Sequence, residues 1–224
     1  MSNPDSFIDE VNEELKRDRL FAAMKKYGWI AVLAVVGAVG FAAWNEWSKA
    51  QATARAQAFG DPIVAALQPE DAAAGRAGLT ALAAERGTVA MHAGILNLLL
   101  AAEALEGGER VRALAALAEV AEDSALPPSY RQLATLKRVI AATEAEIPLA
   151  ERQALIAPLT APGAPFRPLA LEQQALLTLE AGDTAGAIAA LTALLADAEV
   201  TPGLRARAQQ VIVILGGAVD PGQG

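Results

Sequence analysis

The chain has 224 residues, a net charge of −8, 54% hydrophobic and 4% aromatic residues, and no cysteine. Lacking cysteine, it has no thiol nucleophile, no Cys-ligated zinc and nothing to acylate as a lipoprotein, which suits an oxidising compartment and a fold held by packing alone. Alanine and leucine dominate and favour helices packed through small residues, while the acidic balance without a basic cluster argues against nucleic acid and anionic lipid as ligands.

Residues 1–26 read as a cytoplasmic amphipathic tail. Phe7, Val11, Leu15 or Leu20, and Met24 recur at roughly helical intervals, with acids early and bases late as a helix dipole prefers. Two readings stand for this helix, one lying on the membrane surface and one docking a partner.

Residues 27–47 read as a transmembrane helix. From Tyr27 to Asn45 there is no charge over nineteen residues, which at 1.5 Å per residue makes about 28 Å, close to a hydrocarbon core. Tyr27 and Trp29 mark one end, Trp44 and Trp47 the other, as rings at headgroup level do. Lys16, Arg17, Arg19, Lys25 and Lys26 precede the run, whereas only Lys49 and Arg55 fall in the twenty residues after Trp47. The tail is therefore expected in the cytoplasm and the remainder on the far side. The rival is a cleaved signal, for which Ala50-Gln51-Ala52 and Ala56-Gln57-Ala58 have the small-x-small form; the long apolar run and the acidic tail speak against it.

Residues 48–60 extend the helix as a stalk, with a break expected at Gly60-Asp61-Pro62. The main domain, residues 61–216, is followed by a short flexible C-terminus, 217–224. Beyond Trp47 stand thirteen Lys and Arg against nineteen Asp and Glu. A second break at Gln68-Pro69-Glu70-Asp71 opens a helix that ends at Arg86-Gly87 and is weakened by Gly75 and Gly78. Further helices are predicted over 88–106, 109–122, 128–145, 149–159, 166–181, 183–196 and 202–215, each bounded by Gly, Pro or Asp.

Residues 105–134 align without gaps on residues 179–208. Gly108 falls on Gly182, Leu117 on Leu191, Asp123 on Asp197 and Pro128 on Pro202, and Pro165 stands midway between the prolines. The offset of 74 residues is twice a period in the mid-thirties, which with two helices per unit is the signature of a tetratricopeptide-like solenoid. The fold class is therefore all-α: one N-terminal transmembrane helix and a TPR-like α-solenoid of helix hairpins. Ala113, Ala116, Ala187 and Ala190 are small where helices approach, and Gly107-Gly108 and Gly182-Asp183 supply turns within hairpins.

A charged tail before a span ending AAWNEW, a helical stalk, and late repeats such as LALEQQALLTLEAGDTAGAIAALTALLADAEVTP resemble the YfgM-like family. These are the single-span tetratricopeptide proteins grouped as ancillary SecYEG translocon subunit and cell division coordinator domains. The resemblance implies an anchor in the bacterial inner membrane, a periplasmic repeat domain, and translocon subunits, periplasmic chaperones and unfolded exported chains as partners. It carries no catalytic residue and no cofactor. The chain departs from the family in lacking most bulky aromatic repeat residues and in the proline-broken stretch IPLAERQALIAPLTAPGAPFRPL.

Candidate sites are few. The chain has one histidine, His92, on an apolar face with Ile95, Leu96 and Leu99, and it reads as packed; no GxSxG, HExxH, phosphate loop or dinucleotide fingerprint occurs, so neither an enzyme nor a metal site is expected. Glu144 with Glu146, and Glu119 with Glu122 and Asp123, read as solvated helix faces. Ala34, Ala38 and Ala42 recur every four residues and form a stripe for a partner span. Asn97, Arg131, Lys137, Arg138, Gln173 and Gln174 are polar positions on the first helices of hairpins, where a peptide groove is expected. The reading is a membrane-anchored protein-interaction module; the alternatives are a scaffold for cytochrome maturation or cell division, or a self-associating membrane protein.

Overall fold

A computed structural model describes residues 4–68, 72–86 and 89–218. The described residues form helices without strands, and the chain divides into two compact units, Met1–Asp61 and Pro62–Gly224. The expected break at Pro69-Glu70-Asp71, the turn at Gly87 and the end of the chain from Val219 lie outside the described residues, as do the side chains of Phe7, Val11, Leu15 and Leu20.

Helix α1 runs from Pro4 to Leu67. A segment between Met24 and Leu67 is long and apolar enough to cross a membrane, and its most apolar window is wholly unburied. The rings of Trp44 and Trp47 sit 5.5 Å apart between centroids. The break expected at Gly60-Asp61-Pro62 does not occur, because α1 continues through Pro62. Proline lacks an amide hydrogen and costs a helix one rung, but the turn beyond it is held by packing. Ile63 is buried, and Ala66 lies where a Cβ on Gly78 would approach to 3.1 Å. Gly78 thus permits close helix contact as well as lowering helix propensity.

In the second unit α2 (Ala72–Arg86) packs on α3 (Ala90–Glu106), α3 on α4 (Arg110–Glu122), and α4 on α5 (Pro128–Ala141). Helix α6 (Leu149–Ile156) continues into a 3-10 turn, Ala157–Thr160, and is followed by α7 (Arg167–Glu180), α8 (Thr184–Leu195) and α9 (Pro202–Ile214). Each helix packs chiefly on its chain neighbours, as expected of a solenoid whose units cannot bury their apolar faces alone.

The core is a chain of clusters that repeats with the sequence. Around α3, α4 and α5 it holds Ala101, Ala113, Leu117, Val120, Leu126 and Ala134. Around α7, α8 and α9 the residues 74 positions later are buried likewise: Ala175, Ala187, Leu191, Leu194, Val200 and Ala208. A third cluster, with Leu136, Ile156, Leu159 and Leu177, joins the two through α6. Ala116 is half-buried and packs against the α3–α4–α5 cluster, whereas Ala190 is exposed, so in the later repeat only Ala187 is buried between helices.

The hairpin turns repeat bond for bond. Gly108 N–H donates to the Leu105 carbonyl and Glu109 N–H to that of Ala104; Gly182 donates to Leu179 and Asp183 to Thr178. Gly108 and Gly182 have φ of 75° and 89°, the left-handed conformation that glycine adopts without a Cβ clash. Between units, Asp123 Oδ1 accepts from Ala125 N–H at 2.8 Å and Asp197 Oδ1 from Glu199 N–H at 2.9 Å. Replacing Gly108 or Gly182 by Ala is expected to cost about 1 kcal/mol, read as a lower urea midpoint of the helical signal; an unchanged midpoint for both would contradict the turn geometry.

The middle hairpin departs from this pattern. Helix α5 stops at Ala141 and not at 145, where Thr143 N–H and Oγ1 both donate to Glu146 Oε2, at 2.8 and 2.5 Å, and Glu146 N–H donates back to the Thr143 carbonyl, closing a separate turn. Pro128 and Pro202 are the first residues of α5 and α9. Pro165 precedes α7 by two residues, and Pro168 takes the first-turn place instead, so the even proline spacing does not map onto equal helix starts.

Candidate interaction surface

The predicted groove residues are spread over three helices, α3, α5 and α7. Asn97 on α3 spends its amide on Glu119 of α4, with Nδ2 donating to Oε2 at 2.8 Å. On α5, Arg131 is half-buried with its Nε enclosed and unbonded, Lys137 is exposed, and Arg138 pairs with Glu122 at 3.7 Å. On α7, Gln173 is half-buried and Gln174 exposed. Of these six only Arg138 lines a cleft among those described. Ala34, Ala38 and Ala42 are exposed on α1. His92 is half-buried on α3, and no cluster of metal-ligating side chains occurs among the described residues.

The clefts described lie along the second helices. One cleft of 560 Å³ runs over the exposed side of α2, past Ala77 and Thr80, to Glu109 and Arg112 of α4. A second, of 570 Å³, shares Glu109 and Arg112 with it and reaches Val111, Ala115 and Glu146. A third, of 330 Å³, shares Val111, Ala115 and Glu146 and ends at Ala118, Arg138 and Ile147. Together they make one trough. It was not legible beforehand because alanines at 73, 77, 81, 84, 115 and 118 look the same in sequence whether they face a neighbour or solvent.

Arginine–carboxylate pairs tie separate helices and turns together. Arg152 of α6 is 3% exposed. Its Nε donates to the Ile147 carbonyl at 3.0 Å, Nη1 to Glu180 Oε2 at 2.8 Å, and Nη2 to Glu144 at 3.3 Å and to Glu180 Oε1. Arg207 of α9 grips Glu172 of α7 with two bonds of 2.5 and 2.6 Å. Arg167 at the start of α7 binds Asp197, and Glu199 at 3.4 Å, beyond α8. Arg110 reaches Glu146 at 3.5 Å. Glu144 and Glu146 are therefore not merely solvated: the first also accepts from Leu149 N–H at 2.7 Å. The pattern was hidden because all but the Arg152–Glu144 pair span 28 to 36 residues, far beyond local helix spacing.

These contacts hold carboxyl groups ionised. The Arg152 hydrogen bond lowers the pKa of Glu180; the Glu199 amide and then Arg167 lower that of Asp197; the Thr143 hydroxyl and amide lower that of Glu146. A carboxyl whose pKa is lowered by folding stabilises fully above its ordinary value, 4.5 for glutamate and 3.8 for aspartate. That stabilisation is lost as pH falls through the lowered, folded value. Thermal midpoints, with these groups as the source of change, are expected to be level above pH 4.5 and to decline below it. A midpoint that rises on acidification would contradict these assignments.

Helix hairpins stacked in series, with covered cores between neighbours and an open trough along one set of helices, define a helical-repeat protein. A family profile described as a tetratricopeptide repeat-like domain matches residues 24–207. The chain belongs to that family, whose domains generally mediate protein–protein interaction. No curated protein and no solved structure matches the chain.

Proposed function

We propose that this protein is a single-pass inner-membrane protein whose N-terminal tail is cytoplasmic and whose repeat domain stands in the periplasm. There it binds translocon subunits, chaperones and exported chains. The observation that carries this reading is an exposed apolar segment joined to a tetratricopeptide-like array. The specific YfgM-like assignment rests on the AAWNEW span end, the stalk and the late repeats. Tethering beside a channel exit raises local concentration, so individually weak contacts suffice, and the protein works by binding and not by chemistry.

The exposed Ala34, Ala38 and Ala42 stripe favours a second reading, self-association through the span. Brief in-cell crosslinking of the tagged full-length protein, then purification in mild detergent and mass spectrometry, separates the two. Translocon subunits with periplasmic chaperones support the first reading. Recovery of the protein alone supports self-association, and recovery of a respiratory or division complex sinks the translocon assignment.

A further inference from the structure

We propose that the trough along α2 and α4, on the second helices of the array, takes an amphipathic helix of a partner protein, apolar on one face and flanked by acidic residues. This rests on the interaction-module reading and adds where the partner sits and what it looks like.

Position is the first argument. Leu79 on α2 and Leu117 on α4 are both fully buried, and two residues before each stands an exposed alanine, Ala77 or Ala115. The two helices thus present the same face one unit apart. Shared lining residues join the clefts over these faces.

Chemistry is the second. Around α4 the floor is apolar, with Val111 at 73% exposure beside Leu114, Ala115 and Ile147. Such a floor seats the i, i+3, i+4 anchors of a helix. Its walls keep a small positive excess although the domain is acidic: Arg76, Arg110, Arg112 and Arg138 line the trough against Glu109 and Glu146, with Glu122 paired to Arg138. Arg76 and Arg112 lean on the one carboxylate of Glu109, at 3.5 and 3.3 Å. Two guanidiniums sharing one carboxylate leave positive charge for an incoming acid, and Arg112 is half exposed.

The middle hairpin is the third. Because α5 stops at Ala141 and α6 begins only at Leu149, the turn between them, with Ala145, Glu146 and Ile147, forms one edge of the trough beside α4 and leaves that edge without a helix of its own.

The test uses the full-length protein in lipid nanodiscs and two synthetic helical peptides with the same leucine–alanine face, one flanked by glutamates and one by lysines. Fluorescence anisotropy is expected to show the glutamate peptide binding about tenfold tighter than its twin. Ala115→Trp and Arg112→Glu are each expected to weaken it about tenfold, while Gln174→Trp on α7 stays within about twofold. Unchanged melting curves establish that these surface variants fold, and Ala77→Trp on α2 provides a second block. Equal binding of the two peptides, no binding of either, or loss through Gln174→Trp and not through Ala115→Trp overturns the proposal. In cells, a photocrosslinker replacing Gln174 that captures translocon subunits, where one replacing Ala115 does not, leaves the module reading standing and removes the trough. No adduct from either position removes both.

Discussion

Replacing Arg152 by Ala is expected to lower the stability of the repeat domain by about 3 kcal/mol. Removing one partner of a buried ionic cluster typically costs 3–5 kcal/mol because an uncompensated charge is left behind. Here the partners soften that cost, since the Glu144 and Glu180 side chains are 66% and 43% exposed and rehydrate when the guanidinium goes. What remains is the lost bond to the Ile147 carbonyl and the space vacated by a side chain only 4% exposed. Glu180→Gln keeps the shape and removes one exposed charge, so it is expected to cost only about 1 kcal/mol. Thermal and denaturant unfolding of the full-length protein in detergent measure both. Equal losses for the two variants would show that the charge on Glu180, and not the buried position of Arg152, dominates.

The Arg152 cluster also shows what was legible in the sequence. The 74-residue self-alignment predicted that Leu117 and Leu191, and the turns at Gly108 and Gly182, are equivalent, and these share burial and hydrogen bonds. Periodicity reports how an apolar face recurs, and in a solenoid that face meets the next unit in line. The middle hairpin escaped that logic. Thr143, inside the helix predicted over 128–145, is tied instead to Glu146 just past its expected end. Arg152 carries no local signal of its burial, because Glu144 and the Ile147 carbonyl from the turn before α6 and Glu180 from the end of α7 converge on it.

Pro62 escaped for the opposite reason. A local rule predicted a helix end, and tertiary packing at Ile63 and Ala66 prevailed. The candidate groove was the least legible part. The spacing rules placed Asn97, Arg131 and Gln173 on first helices correctly, but they do not say which polar groups are already satisfied. Asn97 is engaged by Glu119, and nothing in the local sequence of α3 announces it.

Leu117→Ala and Leu191→Ala are each expected to cost about 3 kcal/mol, within the usual range for a fully buried leucine. Both side chains are completely buried at equivalent places, so similar losses follow from similar surroundings. The informative difference is where the loss appears. Leu117 belongs to the cluster of α3, α4 and α5, and Leu191 to that of α7, α8 and α9. In a repeat array each unit is stabilised by its neighbours alone, so damage stays local before it spreads. Hydrogen exchange is expected to accelerate in α3 and α4 for Leu117→Ala and in α8 and α9 for Leu191→Ala, while the other end stays protected. The Arg152 cluster joins α6 to α7, and adding Arg152→Ala to either variant should sharpen that separation by weakening the link between the clusters. Uniform acceleration along the whole domain for either leucine variant would mean that the units unfold as one block and that the middle hairpin, despite its short second helix, transmits stability undiminished.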